Sequence, residues 1–327
     1  MIRSVLLLSV ALAGYAVLST LASLLAMAIW NTSRRVRADW APAVRARRLV
    51  TLRAFPSVAA AVGVAAVIMP AFLIFEPVRA VEAVGPVLIG LALLGLVLLA
   101  AGIGAAALSA FATWRIERRW LRAARLLDFD PPAGVPAYAV ESFTPVVALV
   151  GVFTPKLIAA RTVIEACNRD ELANIVAHER GHLHARDNLK RWLMACAPDL
   201  LRWTPAHRAI TLAWDDAAED AADDAATAGH DAARLDLAAL LVKVARLSAG
   251  QALTAATISP FIARDRLDRR VRRLLSSTPG APSPRWAVVQ PLLATGLIAT
   301  MLAIVNSPSA LKTVHEAVEA VVTYGRW

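Results

Sequence analysis

The sequence predicts a multi-pass α-helical membrane protein that carries one mainly α (α+β) globular domain. Three observations predict it. Hydrophobic residues make up 58% of the 327 positions, too large a share for an ordinary soluble domain. Uncharged apolar runs of bilayer-spanning length recur through the first third of the chain and again near its end. Between them, residues 114–285 turn mixed polar, with length enough for one domain. The formal net charge of +10 would suit nucleic acid, but much of the arginine flanks apolar runs, where the positive-inside bias and anionic lipid account for it. No nucleic-acid reading motif accompanies the charge, and no direct nucleic-acid binding is expected.

Residues 4–29 are uncharged and mostly apolar, longer than the core of a signal peptide, and are expected to be a retained span. Residues 31–53 carry Arg34, Arg35, Arg37, Arg45, Arg47, Arg48 and Arg53 against one acid, Asp39, which predicts a basic cytoplasmic loop. A second span is expected over about 54–75, with Pro56 and Pro70 near its ends, and a third over about 84–113. The linker between them holds Glu76, Arg79 and Glu82, with no basic excess, and belongs outside. Arg115, Arg118, Arg119, Arg122 and Arg125 follow the third span and place residues 114–285 in the cytoplasm. A fourth span over about 286–305, interrupted by Gln290 and Pro291, would leave 306–327 as a short external tail.

Within 114–285, Asp130 to Gly134 is a turn, and 137–141, 146–153 and 157–160 read as short strands around turns at Thr144-Pro145 and Thr154-Pro155. A helix follows, announced by Asn168 with Glu171 three residues on, a capping-box arrangement, and by apolar Leu172, Ile175, Val176, Ala177 and Leu183. Its centre reads His178-Glu179-Arg180-Gly181-His182. Two histidines four apart on one helix face can bind a single Zn²⁺, with Glu179 beside the open metal position as general base. His184 lies about 200° round the helix from His182 and is expected on the polar face.

A catalytic zinc usually takes three protein ligands and leaves the fourth place for water. Ala185 and Asn188 stand where a metzincin pattern would continue, so the remaining choice is a downstream carboxylate. After a helical stretch over 189–203 broken at Pro198, Thr204-Pro205 opens a helix that runs toward Gly229 and contains Asp215, Asp216, Glu219, Asp220, Asp223 and Asp224. The bland alternative is a solvated acidic face. At about 100° per residue, Asp215, Asp216 and Asp223 all fall within about 60° of Glu219. Glu219 is favoured because it has the longest side chain and leaves Asp223 one turn later to orient a ligand histidine. Asp220 and Asp224 are expected to point away, toward solvent or neighbouring helices, and to be nearly silent when replaced. His207 and His230 are candidate oxyanion stabilisers. Residues 260–275, with Arg264, Arg266, Arg269, Arg270, Arg272 and Arg273 around Ile262, Leu267, Val271, Leu274 and Leu275, are expected to form a basic amphipathic helix that either rests on the anionic inner leaflet or packs on the domain. Cys167 and Cys196 are expected to be free, reduced thiols.

The run Gly151-Val-Phe-Thr-Pro-Lys-Leu, then Asp170-Glu171-Leu172 leading into His178 to His182 and Arg186-Asp187-Asn188-Leu189, then Glu219 with Ala222-Asp223, resembles the BlaR/MecR-type antirepressor metallopeptidases. The likeness is specific from 135 to 225 and weak in the spans. It implies a zincin-like (gluzincin) metallopeptidase domain in the cytoplasm, between three spans and a fourth, in the bacterial inner (cytoplasmic) membrane. The expected cofactor is one Zn²⁺ held by His178, His182 and Glu219. The expected partners are the lipid bilayer and a protein substrate, a winged-helix repressor or the chain itself. The 22 residues after the expected fourth span are too short for a penicillin-binding domain, which likens the chain to the sensorless relatives. Two other readings stand beside this one: a quality-control zinc protease of the heat-shock or prenyl-protease type, and a non-enzymatic membrane receptor with a structural zinc site.

Overall fold

Helices cover the apolar runs without sharing all of their boundaries. The computed structural model describes residues 2–33, 40–76, 85–122, 124–127, 134–141, 147–228, 230–248, 264–276, 296, 299–300 and 303–323. Helix α1 covers Ile2–Thr32 and α2 covers Pro42–Gly63; a π-helical turn over Val64–Ile68 joins α2 to α3, Met69–Phe75; α4 covers Pro86–Leu121. These make three helical rods long and apolar enough to cross a membrane, Arg3–Thr32, Pro42–Phe75 and Pro86–Leu121. The π turn sits just ahead of Pro70, whose ring has no N–H and would clash with a carbonyl four residues back, and widening the preceding turn relieves that clash.

Two boundaries differ from expectation. Residues 42–53 are helix rather than loop, and α4 continues eight residues past 113 to Leu121. In both, arginine ends the apolar window without ending the helix, since arginine is a good helix former. Arg118 and Arg119 occupy the last turn of α4, where cations suit the helix dipole. The rest of the basic segment at 34–39, the linker at 77–84, the turns at 130–133 and 144–145, residues 260–263 ahead of α10, and most of the expected fourth span at 286–305 lie outside the described residues.

The rods are closely packed: a Cβ added at Gly95 of α4 would stand 2.1 Å from the Leu12 carbonyl oxygen of α1, so only glycine allows that approach. The globular part begins with a mixed sheet in the order β1-β2-β4-β3, built from Arg125–Leu126, Ala137–Val140, Lys156–Ala160 and Val147–Val150 respectively. β2 and β4 run parallel, while the outer pairs are antiparallel. The strand expected over 146–153 is shorter, because Gly151 turns the chain at φ +108°, where a Cβ would meet the Thr154 carbonyl at 2.6 Å. Then follow α5 (Arg161–Ala166), α6 (Arg169–Ala185), α7 (Asp187–Cys196), a 3₁₀ turn at Leu200–Trp203, α8 (Pro205–Thr227), α9 (Asp231–Ser248) and α10 (Arg264–Leu275). The tail carries one more helix, α11, Pro308–Thr323.

The rods and the globular part share a core. Trp30 of α1 and Leu49 and Leu52 of α2 pack with Met194, Leu201, Ile210 and Trp214. A buried polar knot lies beside it. Arg53 and Asp199, both fully buried, pair at 2.7 Å; Ser57 donates to Asp199 at 2.6 Å; and Arg53 Nε donates to His207 Nδ1 at 2.8 Å. His207 is therefore a positioning element of this joint rather than an oxyanion group. Burial, with the Arg53 charge beside it, pushes the His207 pKa down to about 4.

An unfolded histidine titrates near 6.5. Between about pH 4 and pH 6.5 the unfolded chain thus holds one proton more than the folded one at this position, and stability falls as pH falls through that window. Denaturation of wild type and His207→Gln across pH 4–7 measures this: the variant should show the shallower loss toward acid. Equal slopes would remove His207 from the account.

Candidate metal centre

The metal helix is set from both ends. At the start of α6, Asn168 Oδ1 accepts the Glu171 N–H and Glu171 Oε2 accepts the Asn168 N–H, each at 2.8 Å. At its end Arg186 adopts the left-handed conformation, φ 54°, ψ 44°, unusual for a side chain of that size. This reversal starts α7 at once and brings Asp187 back beside α6, where its Oδ2 lies 2.8 Å from His182 Nδ1. Gly181 sets the crossing with α8: a Cβ there would stand 3.0 Å from the Ala222 Cα. The glycine inside the His178–His182 run therefore lets α8 approach closely enough for Glu219 to face both histidines.

His178 Nε2 lies 3.2 Å from His182 Nε2, 3.5 Å from Glu219 Oε2, and His182 Nε2 lies 3.6 Å from Glu219 Oε1. Behind His178, its Nδ1 is 3.0 Å from Asp223 Oδ1. A carboxylate behind each ring fixes the proton on Nδ1 and turns the Nε2 lone pair inward. Two ring nitrogens and a carboxylate then converge on one point. Ligand atoms around a tetrahedral ion with bonds of about 2.1 Å stand roughly 3.4 Å apart, so the donor set fits a zinc-sized cation in both spacing and chemistry. His178, Glu179 and Glu219 are 3%, 7% and 5% exposed.

The local field is strong. Burial alone would lower the His182 pKa, but Asp187 and Glu219 overcome it and hold it up to about 10. Burial would raise Glu219, yet His178, His182 and the Arg270 guanidinium keep it well below the usual carboxylate range. Glu179 goes the other way. Burial raises its pKa, opposed by the histidines, and Leu149 of β3 donates its N–H to Glu179 Oε2 at 3.2 Å. Asn188 donates to the Leu149 and Gly151 carbonyls at 2.9 Å, so β3, an edge strand, is pinned next to the general-base candidate.

The family model described as BlaR1 peptidase M56 matches residues 139–274, from β2 through the metal helix and α8 to the end of α10. The match likens that segment to the BlaR1-type M56 peptidases. No curated protein and no solved structure matches the chain. The match implies a protease, of a family generally metallo and membrane-associated, in keeping with the joint of this segment to three apolar rods.

Of the six acids on α8, the fold brings only Glu219 and Asp223 to the histidines. Arginines engage the others: Asp215 faces Arg191 and Arg266, Asp216 faces Arg266 and Arg269, and Asp224 faces Arg273. Asp220 corrects the expectation of an outward, silent residue. It is 1% exposed and accepts from Arg45 and Arg269, each at 2.7 Å, so its removal would strand two guanidinium groups. His230 is exposed and has no contact with the centre among the described residues. His184 Nδ1 lies 2.8 Å from the Arg180 carbonyl, away from the metal face.

For α10, packing on the domain is the alternative of the two that the fold takes. It packs on α9 and its arginines reach α8: Arg270, 1% exposed, grips Asp223 through Nε at 3.0 Å and Nη2 at 2.5 Å, with Nη1 2.9 Å from Glu219 Oε2. Sequence reasoning gave Arg270 and Asp187 no role. A signal for Arg270 was present in the matching period of charges: acids at 216, 219/220 and 223/224 of α8, arginines at 266, 269/270 and 273 of α10.

Proposed function

We propose that this chain is an integral membrane zinc-dependent endopeptidase whose catalytic domain faces the cytoplasm and which cleaves a transcriptional repressor, itself, or both, in a signalling response. The convergence of His178, His182 and Glu219 on one buried point, with Glu179 beside it, carries the reading. The arginine-rich segment supports the orientation: Arg45 of α2 pairs with Asp220 of the peptidase domain, so the basic segment and the domain lie at the same end of the rods, and basic excess belongs in the cytoplasm.

His178, His182 and Glu219 would hold the zinc. When bound, zinc acidifies an attacking water and polarises the scissile carbonyl. Glu179 takes the proton from that water and passes it to the leaving amine; its raised pKa suits a group that must both accept and return a proton. Asp187 and Asp223 keep the rings oriented, and the Arg270 fork keeps Asp223 charged. The outer edge of β3, beside Glu179, is where an extended protein segment would add as a further strand, in competition with Glu179 and Asn188 for the Leu149 and Gly151 backbone.

Zinc content of the purified full-length chain tests the ligand set. Glu219→Gln should lose most of its zinc, whereas Asp215→Asn, whose carboxylate faces Arg191 and Arg266, should keep it. Full occupancy in Glu219→Gln together with loss in Asp223→Asn would move the ligand role to Asp223.

A further inference from the structure

A second group of metal-ligating side chains sits at the other pole of the rods. Glu76 closes α3, and His315 and Glu319 stand four apart on one face of α11. One ligand atom from each lies within 4.8 Å of the others. His315 Nε2 is 3.9 Å from Glu76 Oε2 and 3.8 Å from Glu319 Oε1, too far for hydrogen bonds and within about half an ångström of the ligand spacing around a small divalent ion. His315 is 7% exposed, and among the described residues neither of its ring nitrogens has a hydrogen-bond partner. An imidazole buried among carboxylates and bonded to none of them is a costly arrangement that a cation would repair.

The surroundings hold the group in place. Phe75 packs against the His315 ring at 5.8 Å between centroids, and the Gly85 N–H donates to the Val322 carbonyl at 3.0 Å, fixing the far end of α11 to the start of α4. Arg3, a neighbouring cation, directs Nη2 to the backbone carbonyls of Leu73 and Glu76. Leu6 and Val10 of α1 pack with Phe72 and Val322 here, whereas Trp30 of α1 packs with the peptidase domain. From Arg3 to Trp30 a helix rises about 40 Å, so this group is remote from His178.

We propose that Glu76, His315 and Glu319 form a second cation site, for a Zn²⁺-class divalent ion, that clamps α11 to the end of α3 at the pole away from the peptidase centre. One imidazole and two carboxylates suit an ion of that class. In the orientation proposed above the site faces outward, where its occupancy follows the external metal supply rather than the cytoplasmic one.

The test is zinc stoichiometry by elemental analysis of the full chain in detergent after equilibration with Zn²⁺ alone. Wild type should bind two equivalents, and His178→Ala/His182→Ala should keep one. Adding His315→Ala to that background should abolish binding. Glu319→Gln, at a side chain 41% exposed and so tolerant of change, should weaken the remaining site by more than about tenfold, which guards against misfolding as the cause. No zinc in the His178→Ala/His182→Ala chain, or zinc there that survives both His315→Ala and Glu319→Gln, would overturn the proposal. A wild type with one equivalent, lost in His315→Ala and kept in His178→Ala/His182→Ala, would support this site and sink the peptidase-centre reading instead.

Discussion

Glu179→Ala is expected to slow peptide cleavage by about 10²–10⁴-fold, the usual contribution of a positioned acid–base group, while the purified chain keeps its zinc. The variant removes the proton carrier without touching His178, His182 or Glu219, and the capping box and the Gly181–Ala222 contact that shape α6 stay intact. The Leu149 N–H loses its acceptor, a cost of about 1–3 kcal/mol, which the fold can carry. The measurement is the appearance of new peptide ends when wild type or variant is expressed beside candidate repressors, with zinc determined on the same preparations. Cleavage at the wild-type rate would place the base elsewhere; loss of zinc with loss of cleavage would make Glu179 part of the metal site rather than the carrier.

Asp199→Ala is expected to destabilise the chain by about 3–5 kcal/mol, the cost of stranding a buried charge. Arg53 has 0% exposure and Asp199 is its carboxylate partner. The remaining neighbours, His207 Nδ1 and Ser57, carry no negative charge to replace it. Because Arg53 belongs to α2 and Asp199 follows α7 in the peptidase domain, the loss should appear as looser joining of rods and domain, seen as faster proteolysis near Pro198 as well as a lower thermal midpoint. Arg53→Met combined with Asp199→Leu should recover much of the loss, since apolar replacement of a buried pair is often neutral or better. A single variant within about 1 kcal/mol of wild type would mean that solvent reaches Arg53.

Much of the candidate metal centre was legible because its chemistry is local. Asn168, Glu171, His178, Glu179 and His182 lie on one helix, where spacing alone decides which side chains share a face. Glu219 and Asp223 were harder, since six acids lie on α8 and angular position left four of them open; side-chain length and the need for a partner behind His178 favoured the pair that the fold brings to the histidines. Asp187 was missed because the left-handed turn at Arg186, which returns it to His182, has no glycine to announce it. Arg270 was missed because a basic amphipathic helix reads the same whether its cationic face meets phosphate headgroups or an acidic helix. The ends of α2 and α4 were misjudged for a related reason: hydropathy locates the apolar part of a helix, not the helix.

By itself, the sequence determined the three apolar rods, the mixed polar stretch between them and the tail, and the helix that sets His178, Glu179 and His182 together, because hydrophobic length and helical period act over neighbouring residues. Only the tertiary structure decided which carboxylate faces those histidines, that Asp220 is buried among arginines, that Arg270 holds Asp223, and that Glu76 meets His315 across more than two hundred residues of chain. Those outcomes depend on how closely helices cross, as Gly181 against Ala222 shows, and on which buried charges must find partners, and neither is a property of any one stretch of sequence.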